Sequence, residues 1–211
     1  ITNVRRGGFI AAAAVAIGEG SLAVVALPHD RPGLTRTDDL DLIALRGTRT
    51  AALKLDEVAF DDDDVIAAQA RRWLPRVRPA FLGLQCGLSI GLARASLAAA
   101  RQRGVNTKAL LGPGIDQLDD QLRRLQHDLG AGVDDGRFIE APIALFETRI
   151  GLARVVGEAV RLEMLASGGR AYHRDGGYGF ARRWREAAFI PIVTPSLTQL
   201  EGELLRHRGR G

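Results

Sequence analysis

With 211 residues, 46% of them apolar and 26% charged, the chain can bury one large core or two smaller ones. Its formal charge of +4 rests almost wholly on arginine, since Lys54 and Lys108 are the only lysines. Those arginines alternate with acids, as Arg123 and Arg124 do with Asp119 and Asp120, and aromatics are few, so no nucleic-acid partner is expected. No apolar run reaches the ~20 residues of a membrane span, and none is expected. The single Cys86, inside the apolar stretch 84–90, reads as a buried, inert thiol in a reducing cytoplasm.

Ile1 opens the sequence, and no charged-then-apolar leader precedes the first fold signal, so a trimmed or incomplete N-terminus is expected rather than a secretory one. Residues 1–60 carry strand signals. Phe9–Ile17, Ser21–Leu27, Leu40–Leu45 and Ala51–Phe60 are short apolar or alternating runs, separated by Gly18-Glu19-Gly20, Pro28–Gly33 and Arg46-Gly47-Thr48. An antiparallel meander is the expected arrangement. Asp61–Asp64 lacks the ligand spacing of an oxygen cage and reads as a solvated linker.

From Val65 onward the period is helical, so a β segment over 1–64 and a helical bundle over 65–211 are expected, an α+β chain. Pro79–Arg103 predicts one long apolar helix with Gly83, Gly87, Gly91 and Ala95 every four residues. Gly112-Pro113-Gly114 predicts a break, and Ile115–Leu129 an amphipathic helix burying Leu118, Leu122, Leu125 and Leu129. A third helix is predicted over Ala141–Leu165 and stops at Gly168-Gly169. Trp184–Ile190 predicts a short helix and Pro195–Arg206 a last one, capped near Thr194 or Ser196. His29, His127, His173 and His207 are scattered without metal-like pairing, so no metal site is expected.

The order of several pieces resembles the acyl-CoA dehydrogenase family over essentially the whole chain. Ile1-Thr2-Asn3 resembles the family's Trp-Ile-Thr-Asn segment. Leu45–Thr50 through Leu55-Asp56-Glu57-Val58 resembles the closing strands of its middle β domain. Arg78-Pro79, Gly87 and Arg103 fall at the intervals of the first C-terminal helix. Ser167–Tyr172 resembles its Gly-Gly loop, Arg185-Glu186-Ala187 its Arg-Asp-Ala, and Pro191-Ile192 its entry to the last loop. The resemblance implies the C-terminal part of the middle β domain over 1–64 and the C-terminal α-helical bundle, of up-down four-helix type, over 65–211. It also implies a flavoprotein with FAD that removes two hydrogens from the α and β carbons of an acyl-CoA thioester.

By the same resemblance, Thr2 contacts the flavin near N5, and Arg103 reaches the FAD diphosphate. Gly168 and Gly169 lay their backbone along the FAD of a partner subunit. Residue by residue, the chemistry is incomplete. Thr194 stands where most members carry the catalytic glutamate, and Val77 where others carry it, so no catalytic base is expected. Leu165 replaces a glutamine before the Gly-Gly loop, Pro195-Ser196-Leu197 replaces Gly-Thr-Ser, and a second glycine cluster, Gly176-Gly177-Tyr178-Gly179, follows. Three readings are carried forward: a subunit without its own base that works with a related catalytic flavoprotein in a homo- or hetero-oligomer; an active dehydrogenase with a relocated base; and a non-enzymatic helical interaction module.

Overall fold

Two seven-residue runs of small and apolar residues, Ile10–Ala16 (β1) and Leu22–Pro28 (β2), pair antiparallel along their whole length, from Ile10 opposite Pro28 to Ala16 opposite Leu22. The computed structural model describes residues 1–18, 20–173 and 179–209, and the chain divides into two units, Ile1–Val77 and Arg78–Gly211. In the first unit a third strand, Val65–Ala67 (β5), joins the far side of β2, and Leu34–Arg36 (β3) pairs antiparallel with Leu53–Leu55 (β4). Ala23, Val25, Leu27 and Leu34 form its buried core, with Phe9, Val15, Val58, Phe60 and Val65 packed against them.

Three expectations for this unit are corrected. Leu40–Leu45 is not a strand: Leu45 and Arg49, both at positive φ, flank a 3-10 turn over Arg46–Thr48, and this wide loop is closed by Leu40 N–H to Thr50 O at 2.8 Å. Val65 does not begin a helix but lies opposite Val25 in the sheet, because β2 leaves one edge of backbone groups to be paired. Asp61–Asp64 is not a loose linker. It forms a 3-10 turn with a capping box between Asp61 and Asp64, and Arg31 grips Asp64 at 2.5 and 2.6 Å.

The helices are Ala70–Arg103 (α1), Lys108–Asp134 (α2), Arg137–Glu140 (α3), Pro142–Ser167 (α4), Phe180–Phe189 (α5) and Leu197–Arg208 (α6). Strands then helices make the fold class α+β, as the sequence implies. In the second unit one core gathers Leu82, Cys86, Ala93 and Leu97 of α1, Ile115, Leu118 and Leu122 of α2, Leu145, Leu152 and Val156 of α4, and Leu200 and Leu204 of α6. The expected break at Gly112-Pro113-Gly114 is absent, and α2 runs through Pro113. Packing of Leu111 and Ile115 against the core on either side outweighs the one lost backbone bond. Helix α1 begins at Ala70 rather than Pro79, and by length and composition it could cross a membrane; it places Leu82, Cys86, Ala93, Leu97 and Ala100 in the core instead. Ser196, not Thr194, caps α6, in a capping box with Gln199.

Candidate functional site

Helix α1 ends at Arg103, and Gly104 follows it in a place where a side chain would not fit. A Cβ there would lie 2.8 Å from Ala100 O and 3.3 Å from Ala166 Cβ. The glycine therefore lets the end of α1 lie close to the end of α4. Helix α4 stops at Gly168, whose φ of 57° and ψ of −148° suit a residue without Cβ. Between these ends lies an open groove of about 880 Å³. Gln102, Arg103, Asn106, Thr107, Ser167, Gly168, Arg170 and Arg183 supply its polar wall, and Ala95, Ala98, Ala99 and Leu165 an apolar floor.

Behind the wall sits Glu163, fully buried. Arg183 forks onto it, Nε to Oε2 at 2.8 Å and Nη2 to Oε1 at 2.5 Å, while Arg103 Nη1 donates to Oε1 at 3.0 Å and to Ser167 Oγ at 3.2 Å. These are charge-assisted bonds in a place with little water to compete. The hydrogen bond to Glu163 raises the pKa of Arg183 above its ordinary value, outweighing its burial.

Of the site residues named from the sequence, Arg103 and Gly168 line the same groove, and Gly169 is the exposed next residue. Thr2 belongs to the first unit. There the N-terminal segment is tied down rather than frayed, with Ile1 N to Ala51 O at 2.8 Å and Asn3 N–H to Thr48 O at 2.7 Å, and Thr2 is exposed. Gly176, Gly177 and Tyr178 of the second glycine cluster lie outside the described residues.

Sequence reasoning missed Glu163 and Arg183, and also Arg149 and Gln85. Glu163 and Arg149 were legible as charges inside the apolar stripe of α4, at the spacing of Leu145, Leu152, Val156 and Ala159. Arg149, fully buried, donates from Nη2 to Ile190 O at 2.8 Å, and Gln85 Nε2 donates to Thr194 O at 2.6 Å. Together they hold both ends of the 190–194 segment. Arg149 is buried beside Cys86; burial lowers its pKa and pushes the Cys86 thiol up to about 11.

Thr194 is exposed and Val77 half-buried, and neither side chain takes up a proton. Both oxygens of Glu203 accept from Arg78, at 2.6 and 3.1 Å. Glu201 is exposed opposite Arg154 at 3.8 Å. Among the described residues no three or more His, Cys, Asp or Glu side chains cluster to hold a metal.

The groove's donor set fits a phosphate-bearing group: three guanidiniums, two carboxamides and hydroxyls line it, and no carboxylate does so among the described residues. No family model matches the sequence, and comparison with curated proteins finds no match. Solved structures do match. A glutaryl-coenzyme A dehydrogenase in complex with glutaryl-CoA superposes with a TM-score of 0.78 at 19% identity, over 95% of this chain and 54% of that one. A dibenzothiophene monooxygenase from Paenibacillus sp. A11-2 superposes with a TM-score of 0.79 at 16% identity, over 98% of this chain and 63% of that one. It is also known in a complex with FMN and indole. An acyl-CoA dehydrogenase from Geobacillus kaustophilus gives a TM-score of 0.71 at 14% identity, over 88% of this chain and 52% of that one.

The chain has the acyl-CoA dehydrogenase fold. It spans between half and two thirds of the length of these neighbours, and at such identities the likeness carries the fold alone. Within the acyl-CoA dehydrogenase fold, oxygenase and dehydrogenase chemistry both occur among the neighbours, so the residues of the groove and of the 190–194 segment have to carry the functional argument.

Proposed function

We propose that this chain is the C-terminal half of an acyl-CoA dehydrogenase-family flavoprotein subunit, that its groove receives the diphosphate of FAD, and that it works beside a related catalytic subunit because it lacks its own base. The observation that supports this reading is the set of three arginines, Arg103, Arg170 and Arg183, on a groove wall that holds no carboxylate among the described residues. Guanidinium forks match phosphate oxygens in geometry and charge. Gly168 and Gly169 lie exposed beside them, and at Gly168 and Gly169 a Cβ would meet nothing within 4 Å, so backbone can approach a ligand closely. Bound flavin would supply the electron sink for removing hydrogens from an acyl-CoA thioester. The chain's own part is to hold the phosphates, neutralise their charge and fix the 190–194 segment through Arg149 and Gln85.

The missing base follows from Thr194 and Val77, and from the engagement of both Glu203 oxygens by Arg78. A proton on the α carbon of a thioester needs a positioned carboxylate or its equivalent, which a partner subunit would bring. Fatty-acid or steroid catabolism, an oligomer with a related flavoprotein and a cytoplasmic setting belong to the same proposal, the last supported by the lone buried thiol. The test is the absorption spectrum of the protein made from the full-length gene, alone and co-expressed with its genomic neighbour. Flavin bleached by acyl-CoA only with the neighbour is the expected result. Bleaching by the chain alone means that a base exists elsewhere, and absence of flavin under both conditions sinks the reading.

A second reading is favoured by the same vacant base positions together with the monooxygenase neighbour. On it the whole protein consumes oxygen in the presence of reduced flavin, and acyl-CoA does not bleach it. Oxygen uptake measured beside the bleaching assay separates the two.

A further inference from the structure

Two of the groove's three arginines are held by a residue that does not itself line the groove. Glu163 is one turn and a half back from Gly168 on α4, with its side chain fully buried. One of its oxygens, Oε1, accepts from both Arg103, the last residue of α1, and Arg183, on α5, at 3.0 and 2.5 Å. Two guanidiniums that would repel each other are thus drawn to one carboxylate, and both line the groove. The backbone is shaped around this meeting. Gly104 allows the end of α1 to reach α4, and Gly179, at a φ of 80°, lies 3.1 Å in Cβ terms from Arg183 Nη1. A carboxylate in a stripe otherwise formed by Val156, Ala159, Val160 and Leu162 is unfavourable for burial unless paired, so its place there calls for a role.

We propose that Glu163 is the positioning residue of the groove, presenting Arg103 and Arg183 from two different helices at the spacing needed to grip a nucleotide diphosphate. This rests on reading the groove as the seat of a phosphate-bearing cofactor. A positioned fork discriminates by phosphate: the gain from Glu163 is felt by a diphosphate and not by the nucleoside alone.

The experiment titrates the full-length protein, stripped of nucleotide, with ADP, AMP and adenosine by calorimetry, for the wild type, Glu163→Gln and Glu163→Asp. Wild type is expected to bind ADP more tightly than adenosine. Glu163→Gln removes the charge that gathers the arginines, and ADP affinity should fall about tenfold or more while adenosine stays within about twofold. Glu163→Asp keeps the charge but withdraws it by one methylene, and an intermediate loss for ADP alone is expected. If Glu163→Gln does not give a cooperative melt, the aspartate variant decides alone. Equal losses for ADP and adenosine, or ADP affinity unchanged in a folded variant, overturn the positioning role. A wild type that binds ADP no better than adenosine overturns instead the reading of the groove, and the inference with it.

Discussion

Replacing Arg183 with methionine tests the buried Arg183–Glu163 pair as a matter of stability. In the folded chain the Arg183 side chain is 11% exposed and Glu163 0%, and the fork contributes bonds of 2.5 and 2.8 Å. Breaking a buried ion pair by removing one partner costs about 3–5 kcal/mol, because the remaining charge stays desolvated. Arg103, itself 18% exposed, still reaches Oε1 at 3.0 Å and keeps part of the compensation. The lower end of the range, about 3 kcal/mol, is therefore expected. At about 2–4 °C per kcal/mol for a chain of this size, Tm should drop by about 6–12 °C in a circular-dichroism melt. The paired change Glu163→Leu with Arg183→Met leaves no buried charge at either position and should return to within about 1 kcal/mol of wild type. A single Arg183→Met variant that loses less than about 1 kcal/mol would show that Glu163 is hydrated, and the reasoning from burial would fail.

Two further outcomes follow from other parts of the same unit. The Cys86 thiol has its pKa raised from 9.0 to about 11 by burial, so between those values the unfolded chain releases a proton that the folded chain keeps. Stability should therefore fall as pH rises from 9 to 11, by about 2–3 kcal/mol at most, and urea midpoints for wild type and Cys86→Ala should converge in slope only below pH 9; identical pH profiles for the two would contradict it. Gly132→Ala places a Cβ 2.2 Å from Phe138 Cζ, so the buried ring must move. A loss of about 1–3 kcal/mol is expected, largely recovered when Phe138 is also shortened to leucine, and an unchanged melting temperature for the single variant would refute the close contact.

The helices were legible because their apolar residues recur at a helical period over many turns. Leu118, Leu122 and Leu129 of α2 and the long stripe of α4 are buried as that period requires. Ser196 and Gln199 sit at capping-box spacing and form one. The strands were legible where the apolar or alternating run is long, as in β1 and β2 and in the Ala51–Phe60 run that contains β4. Three-residue strands such as β3 and β5 carry too few side chains for alternation to show, and they exist because a neighbouring strand offers unpaired N–H and C=O groups. Pro113 misled for the converse reason: a local break signal counts for one hydrogen bond, and the core contacts on both sides of it count for more.

By itself the sequence determined that Thr194 and Val77 stand where the family resemblance would set a carboxylate base, and it drew attention to Arg103 and Gly168-Gly169. Only the tertiary structure decided that Arg103 and Gly168 share one groove with Arg170 and Arg183, and that a single buried carboxylate, Glu163, gathers two of those arginines. The reason is physical. Residues 103, 163 and 183 belong to three helices, and spacing along a chain predicts neighbours within one helix but not which side chains meet when separate helices bury a common core.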